Sequence, residues 1–347
     1  MADTTVEILE DLLNCKVEDW NTLLSINLTG HNITLLPPEV DRWSSATRIS
    51  LHCNQLTFLP DAVSGWTSAT QISLFSNQLT SLPDAVSGWS SAIYIYLYGN
   101  QLTSLPDAVH TWTSATHINL GGNQLTSLPD AVHTWTSATH INLGSNQLTS
   151  LPDAVHTWTS ATHISLGGNQ LTFLPDAVSG WTAAIHIYIH SNQLTSLPDA
   201  VSGWASAITI DLVGNQLTLL PDGVSGWSSA RCIYLYGNQL TSLPDAVKEW
   251  TSATDIFLYR NPILFVDDNL CCKCKKSRYN LNNDLFFSLE NKKKIQERYA
   301  CKIQKTYRRH YTKRHNAAVI IQKSYIDRFY RVHGPWYNKV YKKYMSQ

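Results

Sequence analysis

The sequence predicts a solenoid, in which many copies of one short structural unit stack in a single direction. Three observations lead to this prediction. A tryptophan recurs every 23 residues, an asparagine recurs with the same period, and an alternating apolar pair precedes each asparagine. A fixed period of about 20 to 50 residues is typical of repeat architectures. The periodic tryptophans are Trp20, Trp43, Trp66, Trp89, Trp112, Trp135, Trp158, Trp181, Trp204, Trp227 and Trp250.

Each repeat contains the residues of a strand and of a return path to the same core. Ile141 and Leu143 have the period of two expected for a short strand, so both are predicted to point inward. One turn cannot bury its apolar groups alone, whereas stacked turns can, so we expect stacking to dominate stability. The return path of this repeat supplies Leu125, Leu128, Val132, Trp135 and Ala138.

Asparagine is expected to satisfy the backbone where each turn closes. Its amide carries donors and an acceptor, which suits N–H and C=O groups that point into the coil. His31 takes this position in the first of the eleven turns. An aspartate follows the proline of most turns, as in Asp61, and is predicted to accept backbone N–H bonds. The asparagines are Asn54, Asn77, Asn100, Asn123, Asn146, Asn169, Asn192, Asn215, Asn238 and Asn261.

The repeat as a whole resembles a known family. The pattern Ala-x-x-Ile-x-Leu-x-x-Asn-x-Leu-x-x-Leu-Pro is similar to the leucine-rich repeat in its 23-residue Leu-Pro form, over residues 20–266. Alanine replaces the first consensus leucine, and tryptophan replaces a late one. The resemblance implies an α/β solenoid, a horseshoe whose concave face is a parallel sheet of about eleven strands. Near-identical tandem units also resemble repeat proteins of amoebae and of giant viruses that infect them.

Residues 1–19 are predicted to form an N-terminal capping helix over the open first turn. This segment is acidic and lacks the basic start of a secretory signal. No apolar run in the chain reaches the length of a membrane span, so no transmembrane segment is expected. The apolar face of the helix is predicted from Val6, Ile8, Leu9, Leu12 and Leu13.

The seven cysteines do not predict a disulfide framework. Cys53 and Cys232 are about eight turns apart, which is roughly 40 Å at strand spacing. Reduced cysteines favour a reducing compartment. We therefore expect a cytoplasmic protein, in the host cell cytoplasm if the chain is viral.

The resemblance places the residues that flank the inward pair on the concave face, where a ligand would bind. Aromatic residues cluster near both ends of this face, and four histidines lie between them. Exposed aromatic residues favour a protein-binding surface, although aromatics also suit strands in general. The predicted partner-binding residues are Tyr94, Tyr96, Tyr98, His117, His140, His163, His186, Tyr188, Tyr234, Tyr236, Phe257 and Tyr259.

The four histidines allow more than one interpretation. Equivalent side chains on neighbouring strands lie about 4.8 Å apart, close enough for two imidazoles to converge on Zn²⁺ or Cu²⁺. They also suit a pH-sensitive contact surface. However, turns 101–169 are near copies, so three of the histidines reflect one duplicated residue, and no carboxylate or thiol joins them. We predict no metal site, no cofactor and no enzymatic activity, because no catalytic constellation is present.

Charge divides the chain into two parts. Residues 1–261 contain 20 acidic and 6 basic residues, whereas residues 262–347 contain 6 acidic and 20 basic residues. This asymmetry predicts a separate function for the tail, with an acidic partner or surface. Alternatively, the basic tail folds back on the acidic solenoid.

The tail divides into a linker and a basic helical segment. Residues 267–282 are predicted to be a linker, and its cysteines beside a polybasic run suggest S-acylation, metal binding or no role at all. Residues 283–347 are predicted to be helical as far as Gly334. The linker cysteines are Cys271, Cys272 and Cys274, and the apolar stripe of the helix is Ile295, Tyr299, Ile303, Tyr307 and Tyr311.

The helical tail resembles the IQ motif, which binds calmodulin and related EF-hand light chains. The first copy departs from the motif at Arg309, where glycine is usual, and at Asn316, where an apolar residue is usual. The second copy has Ile326 where arginine is expected. Nucleic acid and anionic lipid are the alternative partners of such a basic helix. The resemblance implies a calmodulin-binding role for Ile303, Gln304, Arg308, Lys313, Ile321, Gln322 and Arg331.

These features together predict a non-catalytic scaffold for protein interactions. The repeats would bind a protein partner on the concave face, and the tail would bind calmodulin or another EF-hand protein. The alternative is a regulator anchored to a membrane or binding a metal, which would use the 271–274 cysteine cluster and the concave histidines.

Overall fold

The computed structural model describes residues 5–263 and the backbone of residues 265–266 and 287–288. These residues form a solenoid of eleven turns, and each turn contributes one three-residue strand to a single sheet. The strands are β1 (Ser25–Asn27), β2 (Arg48–Ser50), β3 (Gln71–Ser73), β4 (Tyr94–Tyr96), β5 (His117–Asn119), β6 (His140–Asn142), β7 (His163–Ser165), β8 (His186–Tyr188), β9 (Thr209–Asp211), β10 (Cys232–Tyr234) and β11 (Asp255–Phe257).

Every strand pairs in parallel with the strand of the next turn. The central isoleucines are in register along the sheet, from Ile26 opposite Ile49 to Ile233 opposite Ile256. Each central isoleucine is buried, and so is the apolar residue two positions later, for example Ile141 and Leu143. The predicted α/β solenoid with a parallel sheet of eleven strands is therefore confirmed.

The return path of each turn contains a short 3₁₀ helix, which follows Lys16 in the first turn and begins directly after a proline in every later turn. The residue before a helix is the one whose side chain can reach the first free N–H groups, and proline occupies that position here. For this reason the prediction for the aspartates was mostly wrong. Among residues 5–263, such a bond is seen at Asp199, which accepts from the N–H of Gly223 at 3.1 Å. The helices are Val17–Thr22, Pro38–Ser45, Asp61–Gly65, Asp84–Gly88, Asp107–Thr111, Asp130–Thr134, Asp153–Thr157, Asp176–Gly180, Asp199–Gly203, Asp222–Gly226 and Asp245–Glu249.

The eleven periodic tryptophans form one continuous column inside the solenoid. All of them are fully buried. Neighbouring indole centroids lie 5.6–6.2 Å apart, and the ring planes agree within 20° from Trp43 onward. From Trp66 to Trp250, each indole N–H donates to the carbonyl of the valine 26 residues earlier, at 2.8–3.3 Å. The column therefore joins successive turns by packing and by a directed hydrogen bond.

A second column of buried asparagines links the backbones of neighbouring turns. In Asn123, Oδ1 accepts from the N–H of Leu102 at 3.1 Å. Its Nδ2 donates to the carbonyls of Leu97 at 3.1 Å and Leu120 at 2.9 Å. The amide thus satisfies groups of two turns at once, and the predicted role of asparagine is confirmed.

The residue before each asparagine adopts the left-handed conformation. In the turns around Asn123 and Asn146, this residue is Gly122 (φ 63°) and Ser145 (φ 54°). Because this region is unfavourable for most side chains, glycine or a small polar residue is the usual occupant. The sharp bend after each strand therefore requires a residue that tolerates a positive φ.

The first described element is helix α1 (Val6–Leu13), before which the side chain of Thr5 accepts from the N–H of Ile8 at 3.5 Å. Leu9 is buried in the core of the solenoid, with Val6 and Leu13 packed beside it. The predicted apolar face was partly wrong, because Ile8 and Leu12 are 40% and 37% exposed. On a helix, these two residues lie on a different side from the stripe that begins at Leu9 and continues through Leu13.

Beyond the eleventh turn, two short strands pair in parallel, β12 (Phe265–Val266) and β13 (Phe287–Ser288). Helix was predicted from residue 283, so this prediction was wrong at residues 287 and 288. Phenylalanine favours strands, and the strand pairing takes precedence over the helical pattern there. The linker cysteines and all the IQ-like residues from Ile303 to Arg331 lie outside the described residues. No helix in the described part of the chain is long and apolar enough to span a membrane.

Candidate partner-binding face

The solvent-facing side of the sheet is built from three rows of side chains that run along the solenoid axis. The central isoleucine of each strand points into the core, so the residues before and after it point away from it. The next residue after the buried leucine, three positions after the isoleucine, extends this pattern by one step. The rows are named the first, second and third row, at six, four and two positions before the asparagine of each turn.

The first row contains a stack of histidines. The ring centroids of His117 and His140 lie 4.2 Å apart, and so do those of His140 and His163. Tyr94 and His186 close the two ends of the stack at 4.8 and 4.7 Å, with tilted rings. From turn to turn the row consists of Arg48, Gln71, Tyr94, His117, His140, His163, His186, Thr209, Cys232 and Asp255.

A threonine orients each of the first three histidines. The Oγ1 of the preceding threonine lies 2.9–3.0 Å from Nδ1 of His117, His140 and His163, which leaves Nε2 for a partner. Burial lowers the pKa of all three rings below the ordinary histidine value, so they are neutral near pH 7. Ile185 replaces the threonine before His186, whose buried Nδ1 has no hydrogen-bond partner.

The histidines do not converge on a common point. The rings of His117, His140 and His163 lie face to face within 11° of parallel, so each ring faces its neighbour. Among the described residues, no group of three histidine, cysteine or acidic side chains is arranged to hold a metal ion. The arrangement suits a contact surface built from ring edges.

The second row changes from aromatic to amide and back to aromatic. Tyr96 is at one side of the amides and Tyr188 at the other, and Tyr234 stacks on Phe257 at 4.7 Å. Burial raises the pKa of Tyr234 to about 12 and also raises the pKa of Asp211. The row consists of Ser50, Ser73, Tyr96, Asn119, Asn142, Ser165, Tyr188, Asp211, Tyr234 and Phe257.

The third row contains two aromatic stacks with three glycines between them. His52, Phe75 and Tyr98 stack at 4.2 and 4.4 Å, and Tyr236 stacks on Tyr259 at 4.4 Å. The period of 23 places His52 and Phe75 in the same row as Tyr98, but sequence reasoning selected only Tyr98 of the three as a site residue. The row consists of His52, Phe75, Tyr98, Gly121, Gly144, Gly167, His190, Val213, Tyr236 and Tyr259.

The predicted site residues therefore form two aromatic groups on one face. Tyr94 and Tyr96 lie 6.2 Å apart on strand β4, whereas Tyr234 lies six strands away on β10, at about 29 Å by strand spacing. The structure does not bring the two groups together. The three rows carry only three charged side chains within the described turns, namely Arg48, Asp211 and Asp255.

The ring spacings also define the curvature of the solenoid. Stacked rings on the outer face of the sheet repeat every 4.2–4.7 Å, whereas the buried tryptophans repeat every 5.6–6.2 Å. Equivalent atoms of successive turns are therefore closer together on the strand side. The three rows consequently line the concave face of a leucine-rich-repeat solenoid.

Comparisons with known proteins agree with this fold. No model of a known protein family matches the chain, and no curated protein matches it. A leucine-rich-repeat protein from Leptospira interrogans is 24% identical over 78% of this chain and 73% of its own, with a TM-score of 0.68. The functional domain of InlJ from Listeria monocytogenes, which includes a cysteine ladder, is 22% identical over 75% of this chain and 55% of its own, with a TM-score of 0.63.

A plant structure shares the fold as well. It is the leucine-rich-repeat ectodomain of the receptor kinase GASSHO1/SCHENGEN3 from Arabidopsis thaliana, in complex with CASPARIAN STRIP INTEGRITY FACTOR 2. It is 19% identical over 79% of this chain and 36% of its own, with a TM-score of 0.60. The chain thus spans most of the Leptospira protein but only about half or less of the other two. At identities of 19–24%, these TM-scores establish a common fold and no more.

Proposed function

We propose that this protein is a non-catalytic scaffold that binds a protein partner on its concave face. The observation that carries the proposal is the set of aromatic rings, most of them half-buried, that stack along three rows of the solvent-facing side of the sheet. Tyr94 is 37% exposed, and aromatic residues contribute most of the energy of many protein interfaces. The Arabidopsis ectodomain with the same fold was solved in complex with another named factor, which supports this use of the fold.

Affinity capture with the full chain as bait tests the proposal. The variant changes Tyr94, Tyr96 and Tyr98 to serine, and the control changes His110, His133 and His156 to serine. These three histidines are exposed on the 3₁₀ helices, away from the sheet. We expect a specific partner to be retained by wild type and control and to fall at least tenfold with the tyrosine variant. Equal capture by the two variants would show that the tyrosines are not the binding surface.

We further propose that the basic tail binds calmodulin or another EF-hand protein. The support is the resemblance of residues 303–313 and 321–331 to IQ motifs and the strong positive charge of residues 262–347. Basic amphipathic helices suit the acidic, groove-forming lobes of such partners. The cytoplasmic location suggested by the sequence is part of this proposal.

Calorimetric titration of the full chain with calmodulin, with and without Ca²⁺, tests the second part. Changing Ile303 and Ile321 to aspartate should abolish binding, whereas the control Val340→Asp should preserve it. The absence of binding heat in both calcium states would contradict the proposal. Binding that survives in the double variant but disappears at about 0.5 M salt would indicate a purely electrostatic contact with an acidic surface.

A further inference from the structure

The aromatic stack of the third row stops abruptly at Tyr98. Phe75 covers one face of this ring at 4.4 Å. The next position along the row is Gly121, followed by Gly144 and Gly167, so no side chain of the row continues the stack. The following side chain is His190, four turns after Tyr98, which is about 19 Å at strand spacing. The three glycines, together with Asn119, Asn142 and Ser165 of the second row, are named the central basin.

The central basin is only partly filled by its neighbours. A Cβ on Gly167 would lie 2.4 Å from Nε2 of His190, so this ring leans over the third glycine. The nearest neighbour of a Cβ on Gly121 would be the side-chain amide of Asn142, at 3.1 Å. None of these three glycines has a positive φ, so the backbone does not require glycine there. Their common effect is to leave out the rings that the same row carries in other turns.

The floor of the central basin presents oriented polar groups. The N–H of Gly121 donates to Oδ1 of Asn119 at 3.2 Å, and the N–H of Gly144 donates to Oδ1 of Asn142 at 2.9 Å. These bonds orient both amides, and within the described residues no protein acceptor takes up their Nδ2 donors. The histidine stack of the first row borders the same turns and has its Nε2 atoms available.

We propose that the central basin binds an aromatic side chain with a polar edge, a tyrosine or a tryptophan, supplied by the protein partner and stacked on Tyr98. The proposal rests on the proposed function and specifies what the partner must present. A ring inserted beside Tyr98 would continue a stack whose own spacing is 4.2–4.4 Å. A tyrosine hydroxyl would accept from the Nδ2 donors of the floor, whereas an indole N–H, which only donates, would bond to an amide oxygen or an unprotonated imidazole nitrogen. Ring stacking adds to the burial of apolar area.

Charge favours a protein side chain over a nucleobase. Nucleic-acid sites combine stacking surfaces with a basic groove that neutralises phosphates. Among the described residues, the three rows contain one basic residue, Arg48, which is three turns before Gly121, and the acidic Asp211 and Asp255. A neutral aromatic side chain brings no charge that these rows would have to match.

Saturation-transfer NMR with the full chain tests the inference. The probes are N-acetyl-tryptophanamide and N-acetyl-tyrosinamide, with N-acetyl-leucinamide as the apolar control. We expect transfer to the aromatic probes and little to the leucine probe. The variant Gly121→Tyr fills the position after Tyr98 and should reduce the transfer at least fivefold. The atoms nearest to its Cβ belong to the flexible side chain of Asn142 rather than to backbone.

Two further variants separate this site from other exposed rings. Tyr98→Ala removes the stacking surface and should reduce the transfer as strongly as Gly121→Tyr. Phe173→Ala removes a ring that is 52% exposed and lies outside the three rows, and it should leave most of the transfer unchanged. Equal transfer to the leucine probe, or undiminished transfer in both Gly121→Tyr and Tyr98→Ala, would overturn the inference.

Failure of the inference about the central basin can be distinguished from failure of the proposed function. If the concave tyrosine variant loses its partner but Gly121→Tyr retains it at wild-type affinity, the scaffold proposal stands and the central basin is not the site. Tight binding of a fluorescent poly(dT) or poly(U) probe that is lost in Gly121→Tyr would overturn the inference in favour of a nucleic-acid site.

Discussion

The indole N–H of Trp135 donates to the carbonyl oxygen of Val109, at 3.3 Å, across the boundary between two turns. Both residues are fully buried, so this bond joins neighbouring turns where water cannot compete. The same bond recurs from Trp66 to Trp250, so each of these indoles is held to the preceding turn by an oriented hydrogen bond as well as by packing.

Replacing Trp135 with phenylalanine is expected to lower the free energy of unfolding by about 2–3 kcal/mol, through a lost hydrogen bond and an incompletely filled core. Trp43 is the matched control, because its buried Nε1 has no hydrogen-bond partner. The same change at Trp43 removes an unsatisfied donor and should be about 1 kcal/mol less costly. Urea unfolding of both variants checks this, and an equal loss would assign the effect to packing alone.

Replacing Asn123 with alanine is expected to lower the free energy of unfolding by about 2–4 kcal/mol, since the buried N–H of Leu102 loses its acceptor. The same change at Asn261, in the last turn, should have a smaller effect because that side chain is only part-buried. Chemical denaturation compares the two variants. A larger loss at position 261 would contradict the inferred role of burial.

Replacing Gly122 with valine is expected to destabilise the protein by about 1–3 kcal/mol, because its φ of 63° is strained for a β-branched residue. Space is not the reason, since a Cβ there would lie no closer than 3.5 Å to its neighbours. Asparagine tolerates the left-handed region, so Gly122→Asn should be nearly neutral. Thermal unfolding of the two variants checks this, and similar losses would point to a steric cause instead.

Acidification is expected to weaken the solenoid through the histidine stack. Burial lowers the pKa of His117, His140 and His163, so the unfolded chain takes up protons at a higher pH than the folded chain. Their contribution to stability is complete above the ordinary pKa of 6.5 and declines as the pH falls through the lowered folded values. Repulsion between protonated rings stacked at 4.2 Å acts in the same direction.

Denaturation midpoints between pH 7.5 and pH 5 measure this effect. A variant with glutamine at all three stacked positions should lose about half or more of the pH dependence of the wild type. The control replaces the exposed His110, His133 and His156 with asparagine and should keep it. If both variants retain the full dependence, groups other than the stack control acid stability.

Much of the fold could be predicted from the sequence because one physical rule is repeated eleven times. The inward isoleucine and leucine, the buried tryptophan and the amide of Asn123 each recur in a register that only stacking can satisfy. The aspartate prediction failed where local geometry decides, since proline takes the capping position. Ile8 and Leu12 were misassigned because helical periodicity does not reveal which part of an apolar stripe meets the solenoid.

The candidate site was less predictable than the scaffold. The rows could be listed from the period, so Tyr94, Tyr98 and the histidines were found. The stack of His52 and Phe75 beneath Tyr98 depends on side-chain rotamers, which a period does not specify. The same holds for the amides of Asn119 and Asn142, whose orientation follows from bonds to glycine N–H groups.

The inter-turn bonds of the solenoid are made at constant separations, 26 residues for the tryptophans from Trp66 to Trp250 and 21 residues for each asparagine acceptor. A whole 23-residue unit inserted among the near-identical turns 101–169 would find the same partners on both sides. It would also move Tyr98 and His190 apart by one strand spacing, about 4.8 Å. The number of repeats thus sets the length of the concave face. Duplication of one unit would lengthen this face and leave the contacts of the core unchanged.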